Sequence, residues 1–238
     1  MIRLAEDAIF HTIQGEGKYV GYPSTFIRFS GCNLRCAWKN KDGSITRCDT
    51  DYTSFNPEKR MWERNDILKD VIHDHVVITG GEPYVQAVEL HDLTIDLKKM
   101  DKFITIETNG TIYHPTEADF ISISPKLQSS CASLKHAVLQ EQHRINYDAL
   151  EQIILNHDYQ FKFVVNGFEE VKEIVEIAKN LFDRTQIDIN SNIWIMPQGI
   201  NVKQLDEKMN YLVELCKVYN WKLTDRLHIR IWGDKRGV

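Results

Sequence analysis

The sequence predicts an α/β fold in the form of a partial, open (β/α) barrel. Strand-like and helix-like segments alternate along the chain, which favours a sheet covered by helices. Five predicted strands end in polar or glycine-rich motifs, and active sites of α/β barrels lie at the carboxyl ends of their strands. The 238 residues suit either one barrel-type domain, which we expect to span residues 1–238, or two small domains.

The first half of the chain supplies four predicted strands and two predicted helices. The segment Ser24–Gly31 alternates apolar and polar residues and ends in glycine, which indicates a strand leading into a cysteine-rich loop. The other strands are predicted at His75–Gly81, Lys102–Gly110 and Asp119–Lys126, and the helices at Asn65–Asp74 and Gln86–Met100.

The second half continues the alternation. Helices are predicted at Asn146–Leu155, Phe168–Phe182 and Val202–Tyr219, and strands at Tyr159–Gly167, Asn192–Gly199 and Leu227–Gly233. An apolar face at helical spacing predicts burial of Val171, Ile174, Val175, Ala178 and Leu181. A second stripe consists of Leu205, Met209, Leu212, Cys216 and Tyr219.

Composition narrows the class of protein. Hydrophobic residues make up 42% and charged residues 26%, which is typical of a globular protein with a sizeable core. A net charge of -5 argues against a nucleic-acid-binding surface. No apolar run approaches the roughly 20 residues that cross a membrane. The acidic start MIRLAEDAIF predicts no secretory signal, so we expect a cytoplasmic protein whose thiols stay reduced.

Three cysteines provide the main chemical signal. Cys32, Cys36 and Cys48 fall within one loop region, residues 31–55, with no obvious fourth ligand close by. Structural zinc sites use four ligands, whereas three thiolates suit a four-iron cluster with one open iron. Cys216 belongs to the apolar stripe of its helix and is expected in the core, and the role of Cys131 is open.

Several motifs accompany these cysteines in a fixed order. They are GCNLRC at Gly31–Cys36, CDT at Cys48–Thr50, TGGEP at Thr79–Pro83, ETNG at Glu107–Gly110 and SPK at Ser124–Lys126. Together they resemble the radical adenosylmethionine (radical SAM) enzymes. With IQGEG near the start and WGDKRGV at Trp232–Val238, the chain is most similar to the 7-carboxy-7-deazaguanine synthase family. The resemblance spans the whole chain and implies the radical SAM type of open barrel.

The cysteine spacing departs from the CxxxCxxC of most of that superfamily. Lys39 stands where the third cysteine is usual, and aligning CDT leaves Lys39–Arg47 as an insertion. Lengthening the loop from two to eleven residues costs ~1.5 kcal/mol of closure entropy, which is small beside cluster binding. The KDGS sequence inside the insertion is a turn signal for a hairpin. The rival interpretation is an inactive site with Lys39 in the ligand position.

The resemblance implies three cofactors: a 4Fe–4S cluster on Cys32, Cys36 and Cys48, adenosylmethionine, and Mg²⁺ on the Thr50 hydroxyl. Gly80 and Gly81 would let the backbone approach the methionine end of adenosylmethionine, and a carboxylate such as Glu107 suits its ribose hydroxyls. The residues implied to bind adenosylmethionine are Arg47, Asp49, Gly81, Glu107, Ser124, Pro125 and Lys126.

The family substrate is 6-carboxy-5,6,7,8-tetrahydropterin. The residues implied to bind it are Ile13, Gln14, Gly15, Glu16, Arg28, Thr79, His228 and Val238. Arg28 has the chemistry of a bidentate carboxylate clamp, although a surface pairing would be equally plausible without the resemblance. The resemblance implies that the Val238 carboxylate reaches the substrate, whereas chain ends usually fray.

The implied reaction makes the protein a lyase of queuosine or other 7-deazapurine biosynthesis. A 5′-deoxyadenosyl radical takes hydrogen from C6 of the pterin, the ring contracts, ammonia is lost and adenosylmethionine is regenerated. No side chain is assigned a catalytic role beyond the cluster and adenosylmethionine. The family also implies a homodimer and an electron donor such as flavodoxin or ferredoxin.

Two alternatives compete with this interpretation. A glycyl-radical activating enzyme would share the cluster and the TGGEP motif, but it would not need QGEG, Arg28 or the final RGV. A structural zinc protein would be colourless and would contain zinc without iron or sulfide.

The insertion hypothesis predicts opposite outcomes for two substitutions. Cys48→Ala should abolish the 4Fe–4S absorption and the brown colour after anaerobic reconstitution, because it removes one of three ligands. Lys39→Ala should leave both unchanged, because this residue only begins the insertion. Iron and sulfide analysis checks the result, and loss of the cluster from the Lys39 variant alone would contradict the alignment.

Overall fold

Seven parallel strands form most of the main sheet, and two further strands joined by antiparallel pairing extend it at one edge. The computed structural model describes residues 1–40, 43–132 and 135–238. The strands are β1 Ile2–Ile13, β2 Pro23–Phe29, β3 Ala37–Lys39, β4 Ile45–Arg47, β5 Arg60–Trp62, β6 His75–Gly80, β7 Phe103–Thr108, β8 Phe120–Ile123, β9 Tyr159–Val165, β10 Ile193–Pro197 and β11 Lys222–Leu223. The main sheet has the order β11-β10-β9-β8-β7-β6-β2-β1-β5.

Eight α-helices accompany the strands within the described ranges. They are α1 Asp51–Ser54, α2 Arg64–Lys69, α3 Ala87–Lys99, α4 Ala137–His143, α5 Tyr147–Asn156, α6 Glu169–Thr185, α7 Val202–Tyr219 and α8 Leu227–Trp232. Strands β5 and β11 are the two ends of the sheet order and do not pair with each other in the described part of the chain. The predicted α/β class and the partial, open barrel are therefore confirmed.

Alternation along the strands separates the core from the barrel interior. Ile78 on β6 and Ile106 on β7 lie fully buried in the hydrophobic core, together with Leu93 of α3. Their neighbours Thr79 and Glu107 line a cavity on the opposite face of the sheet. This period of two places apolar residues against the helices and polar residues inside the barrel.

Aromatic side chains fill the end of the barrel opposite the cavity mouth. The ring of Tyr19, in the loop after β1, lies 5.0 Å from Phe120, 5.2 Å from Phe103 and 5.5 Å from His75, measured between centroids. Those three residues begin β8, β7 and β6. Burial lowers the pKa of His75 to about 4, so its imidazole is neutral at neutral pH. The barrel is thus open at the carboxyl ends of its strands.

The segment after Arg226 corrects one prediction. The alternation in LHIRIW indicates a strand, but the structure forms helix α8 there. Ile229 is buried whereas Ile231 is 50% exposed, so one side of a short helix meets the protein. The prediction was wrong because alternation over six residues fits one turn of amphipathic helix as well as a strand.

Two buried faces also differ from prediction. On α6, Val175 is 42% exposed, and Ile177 is buried in its place. On α7, Tyr219 is exposed and Met209 only half-buried, whereas Leu215 joins the core. In both helices the buried face is rotated slightly from the predicted one.

The sequence pattern does not predict strand β1. Glu6 and Asp7 interrupt its apolar alternation, and the register with β2 shifts between Leu4 and Ile9. A bulge of this kind hides the period of two.

Within the described ranges, every helix is too short or too polar to span a bilayer.

Candidate active site

A cavity of about 470 Å³ opens at the carboxyl ends of the parallel strands. All five polar strand-end motifs contribute to its lining, as barrel topology predicts. Of the residues predicted to bind the metals, adenosylmethionine or the substrate, those that line it are Ile13, Gln14, Gly15, Glu16, Arg28, Cys32, Cys36, Arg47, Cys48, Asp49, Thr50, Thr79, Gly81, Glu107, Ser124, Lys126, His228 and Val238. Pro125 is buried outside this lining.

The insertion between the second and third cysteines forms a hairpin. Strands β3 and β4 pair antiparallel, with Ala37 opposite Arg47 and Lys39 opposite Ile45. The residues just outside the Ala37–Arg47 pair are Cys36 and Cys48, and the Cys48 amide donates to the Cys36 carbonyl at 3.0 Å. The hairpin therefore returns the third cysteine to the second. Part of the KDGS turn, residues 41 and 42, lies outside the described residues.

The three cysteines lie in a low-dielectric wall of the cavity. Burial raises the pKa of the Cys32 thiol to about 12 and also raises the pKa values of Cys36 and Cys48, while Lys126 opposes the shift at each of them. Within the described ranges, no three His, Cys, Asp or Glu side chains have the spacing to hold a single metal ion. Three thiols suit a four-iron cluster that keeps one open iron, whereas a structural zinc site takes four ligands.

Two glycines of the TGGEP motif bring the backbone close to the cysteine loop. A Cβ on Gly81 would lie 2.3 Å from the Gly31 carbonyl oxygen and 3.0 Å from the Cys32 Cβ. Gly80 has a φ of 138° and leaves 2.0 Å between an added Cβ and the Phe29 carbonyl oxygen. No larger side chain fits these positions without moving the cysteine loop.

Glu82 joins the TGGEP motif to the ETNG motif. Its carboxyl group is fully buried and accepts hydrogen bonds from the Thr108 hydroxyl at 2.8 Å and the Asn109 amide at 2.7 Å. Burial raises the pKa of Glu82 to about 7 despite these donors. Glu82 therefore aligns two strand ends and does not line the cavity.

Polar neighbours hold Glu107 and Lys126, two residues that are predicted to bind adenosylmethionine. Glu107 accepts from the Thr79 hydroxyl at 2.8 Å and from Gln14 Nε2 at 3.2 Å. Lys126 donates to the Ser124 hydroxyl at 2.8 Å. These contacts leave a carboxylate and an ammonium group facing one space, which matches a ligand that carries both charges.

The residues on either side of Cys48 add three further predicted residues to the cavity lining. The Thr50 hydroxyl lies 3.4 Å from the Cys48 sulfur. Asp49 pairs with Arg226 at 2.5 Å, and Arg47 stacks on the Phe55 ring at 4.8 Å. Burial opposes ionisation of Asp49, but Arg226 outweighs it and lowers the pKa of this carboxyl. The segment thus presents a hydroxyl oxygen and a carboxylate beside the third thiol.

A buried network of charges links the loop after β1 to the far side of the barrel. Glu16 pairs with Lys162 at 2.5 Å and with Arg226 at 3.0 Å. Arg226 also donates to the Gly199 carbonyl oxygen at 2.6 Å. Burial opposes the charge on Glu16, but Lys162 and Arg226 hold its pKa far below the usual value. Glu16, Lys162 and Arg226 are therefore all charged in the folded protein.

Sequence reasoning missed Lys162 and Arg226. Lys162 lies on β9 between Phe161 and Phe163, which both belong to the core. A lysine within an otherwise apolar strand is rare when buried unless a carboxylate pairs with it, and this signal was available. Nothing local distinguishes Arg226, because its partners are remote in sequence.

Arg28 is one of the cations that line the cavity. Its Nε atom is buried without a hydrogen-bond partner, and the side chain makes no ion pair with any described residue. The guanidinium lies 5.2 Å from the Phe10 ring, which stacks on Phe26 with 5.0 Å between centroids. An arginine on an aromatic platform with an orphaned donor is suited to an incoming carboxylate.

His228 packs against the loop that contains Gly15. A Cβ on Gly15 would lie 2.3 Å from His228 Nδ1, so only glycine leaves room for the ring. The other ring nitrogen, Nε2, lies 3.8 Å from Glu16. Burial lowers the pKa of His228, more than Glu16 raises it, which favours the neutral imidazole.

The remaining two cysteines lie outside the cavity lining. Cys216 is in the hydrophobic core, as predicted. Cys131 forms an isolated parallel bridge with Ala37, next to the hairpin, and burial raises its pKa to about 11. Its role stays open.

Known proteins resemble this chain over nearly its whole length. A 7-carboxy-7-deazaguanine synthase of Halobacterium salinarum is 34% identical over 241 residues, covering 95% of this chain and 89% of the relative. One from Rhodopirellula baltica is 36% identical over 238 residues, covering 96% and 86%. This chain belongs to the 7-carboxy-7-deazaguanine synthase family. The crystal structure of QueE from Escherichia coli superposes with a TM-score of 0.66 at 25% identity, covering 95% of each chain.

Membership in the 7-carboxy-7-deazaguanine synthase family confirms the resemblance drawn from the ordered motifs. No family model matches the chain. The matches to these relatives extend over 95% and 96% of the chain, so the departure in cysteine spacing does not remove the chain from the family.

The charge network predicts a pH-dependent loss of stability in Glu16→Gln. Because the folded pKa of Glu16 lies below its ordinary value of 4.5, its contribution to the free energy of unfolding is complete above pH 4.5 and is lost as the pH falls toward the folded value. At pH 7 the variant should lose roughly 3 kcal/mol, since Lys162 and Arg226 lose a buried partner. At pH 3 the difference from the wild type should shrink.

Urea unfolding at both pH values measures this effect. Glu214→Gln is the control, because its pair with Lys217 is exposed and should be worth less than about 1 kcal/mol. An equal loss in the Glu16 variant at both pH values would contradict the assigned charge.

Proposed function

We propose that this protein converts 6-carboxy-5,6,7,8-tetrahydropterin to 7-carboxy-7-deazaguanine with loss of ammonia. It is a lyase of the radical SAM type, since it belongs to the 7-carboxy-7-deazaguanine synthase family. The observation that supports the proposal most is the joint lining of one cavity by Cys32, Cys36 and Cys48 and by the unpaired Arg28.

The family's cofactors are a 4Fe–4S cluster, adenosylmethionine and Mg²⁺, and the cavity residues fit them. Bound together, the cluster and adenosylmethionine supply a 5′-deoxyadenosyl radical. Cys32, Cys36 and Cys48 would hold the cluster, and Lys126 would offset part of its thiolate charge. Thr50 would provide a hard oxygen ligand for Mg²⁺ beside Cys48.

Adenosylmethionine would lie between the strand ends next to the cysteine loop. Gly81, which packs against the cysteine loop, would border its methionine end, and Glu107 and Lys126 would offer opposite charges to its polar groups. Asp49, Ser124 and Arg47 lie on the same wall and extend this surface. Pro125 would act only by directing the backbone between its two neighbours.

The pterin would lie deeper, against the first two strands and the loop after β1. Arg28 would bind its carboxylate, and the Gln14 amide and Thr79 hydroxyl would meet its ring edge through donors and acceptors. The neutral His228 and the ionised Glu16 would border the same space, together with backbone groups of Ile13 and Gly15. Val238 borders the same space. The half-buried Phe10 ring would support the Arg28 guanidinium from one face.

The alternative functions are less well supported. A glycyl-radical activating enzyme must admit a segment of a partner protein, whereas the residues 234–238 border this cavity and narrow its mouth. A structural zinc site takes four ligands, whereas the cysteines that line this cavity supply three thiols.

The electron for the reaction would come from a small redox protein such as flavodoxin or ferredoxin. We also propose a cytoplasmic location, where reduced thiols can hold an iron–sulfur cluster. A homodimer is the expected assembly by analogy with the family.

Anaerobic reconstitution tests the function directly. The protein with iron, sulfide, adenosylmethionine, Mg²⁺ and a one-electron reductant should turn 6-carboxytetrahydropterin into a product with the mass of 7-carboxy-7-deazaguanine. Cleavage of adenosylmethionine without that product would refute the substrate while leaving the enzyme class intact.

Substitution of Arg28 tests the carboxylate clamp. Arg28→Ala should raise KM for the pterin on the order of tenfold to a hundredfold, since a charged hydrogen bond is worth about 1.5–3 kcal/mol. Arg28→Lys should recover part of the loss. Arg64→Ala is the control, because this arginine pairs with Asp92 and Asp96 outside the cavity. An unchanged KM in Arg28→Ala would contradict the assignment.

A further inference from the structure

Arg236 is held on three sides at the edge of the cavity. Its guanidinium donates to both carboxylate oxygens of Glu58, at 2.9 and 2.7 Å. It stacks over the Tyr52 ring at 3.8 Å from the centroid, and its Nε lies 3.4 Å from Asp7. Bidentate geometry combined with stacking makes this contact stronger than an ordinary surface ion pair.

The anchor for Arg236 is itself rigid and lies next to the cysteine loop. The Glu58 amide donates to the Tyr52 carbonyl at 3.0 Å, and the Ser30 hydroxyl donates to the Glu58 carbonyl. The Gly31 amide donates to the Thr53 carbonyl at 2.9 Å. The segment that holds Arg236 therefore bridges the residues before Cys32 and those after Cys48.

The segment after α8 depends on this one side chain. Residues 234–238 line the cavity, between turns at Gly233 and Gly237, which have φ values of 69° and 75°. Within the described ranges, Arg236 makes the side-chain hydrogen bonds and ion pairs found for residues 233–238. Removing it would leave a glycine-flanked strap without a side-chain anchor.

We propose that Arg236 is a positioning residue, a latch that holds the segment 233–238 as a wall of the substrate cavity. Glu58 and Tyr52 are its receptor. The side chains of Arg236 and Glu58 are 30% and 19% exposed, so water screens the pair only partly. The expected effect of Arg236 on pterin binding rests on the proposed function, whereas its attachment of the segment 233–238 does not.

Hydrogen exchange and kinetics on the holoenzyme test the latch together. In Arg236→Ala, amide exchange of residues 233–238 should accelerate about tenfold, and KM for the pterin should rise by a similar factor while kcat changes less. Glu58→Gln should also raise the exchange rate and KM, but by smaller factors. Arg236→Lys should fall between, because it keeps the charge and loses the bidentate fork.

Arg184→Ala is the matched control. Arg184 also contacts two carboxylates, Asp148 and Glu151, but on the helices away from the cavity. It should leave exchange at 233–238 and KM unchanged. Exchange in β6 and β7 reports whether any variant loosens the whole fold.

Separate outcomes distinguish the two proposals. Unchanged exchange in Arg236→Ala would overturn the latch, and faster exchange with an unchanged KM would overturn its role as a cavity wall. If the wild type forms no deazaguanine acid, the proposed function fails. Faster exchange confined to residues 233–238 would then still support the latch.

Discussion

Arg226 connects parts of the barrel that no strand pairing connects. It contacts Glu16 from the loop after β1, Asp49 beside the third cysteine, and the carbonyl of Gly199 after β10. The sheet is open, so backbone hydrogen bonds do not fix these three segments relative to one another. A buried guanidinium with five donors can satisfy all three at once. Since one partner adjoins Cys48 and another adjoins the substrate space, the metal and substrate sides share this support.

The hairpin solves the problem posed by the long cysteine spacing. Antiparallel pairing places Cys36 and Cys48 side by side whatever the number of residues beyond them, provided the register is kept. The cost of insertion is then a loop closure of ~1.5 kcal/mol, against several backbone hydrogen bonds gained. An insertion at this place lengthens the protein without moving the ligand.

Ion pairs neutralise several charged side chains of the cavity but leave Arg28 without a carboxylate partner among the described residues. Glu16 and Lys162 neutralise each other, and Asp49 is paired with Arg226. Arg28 keeps a buried donor free. A ligand with a carboxylate therefore gains a contact that a neutral ligand cannot make, even though the chain as a whole carries a net charge of -5.

Strand-end motifs and period-two alternation are local patterns, so the sequence could predict the fold class, the family and many residues of the cavity lining, but not Lys162 or Arg226. Even so, it gave no sign of β1, where a bulge breaks the alternation, and it took α8 for a strand. Only the tertiary structure brought Arg226 to Glu16, 210 residues away in the chain. Buried ion pairs of this kind are decided by which strands become neighbours, and that information is not contained in any short stretch of residues.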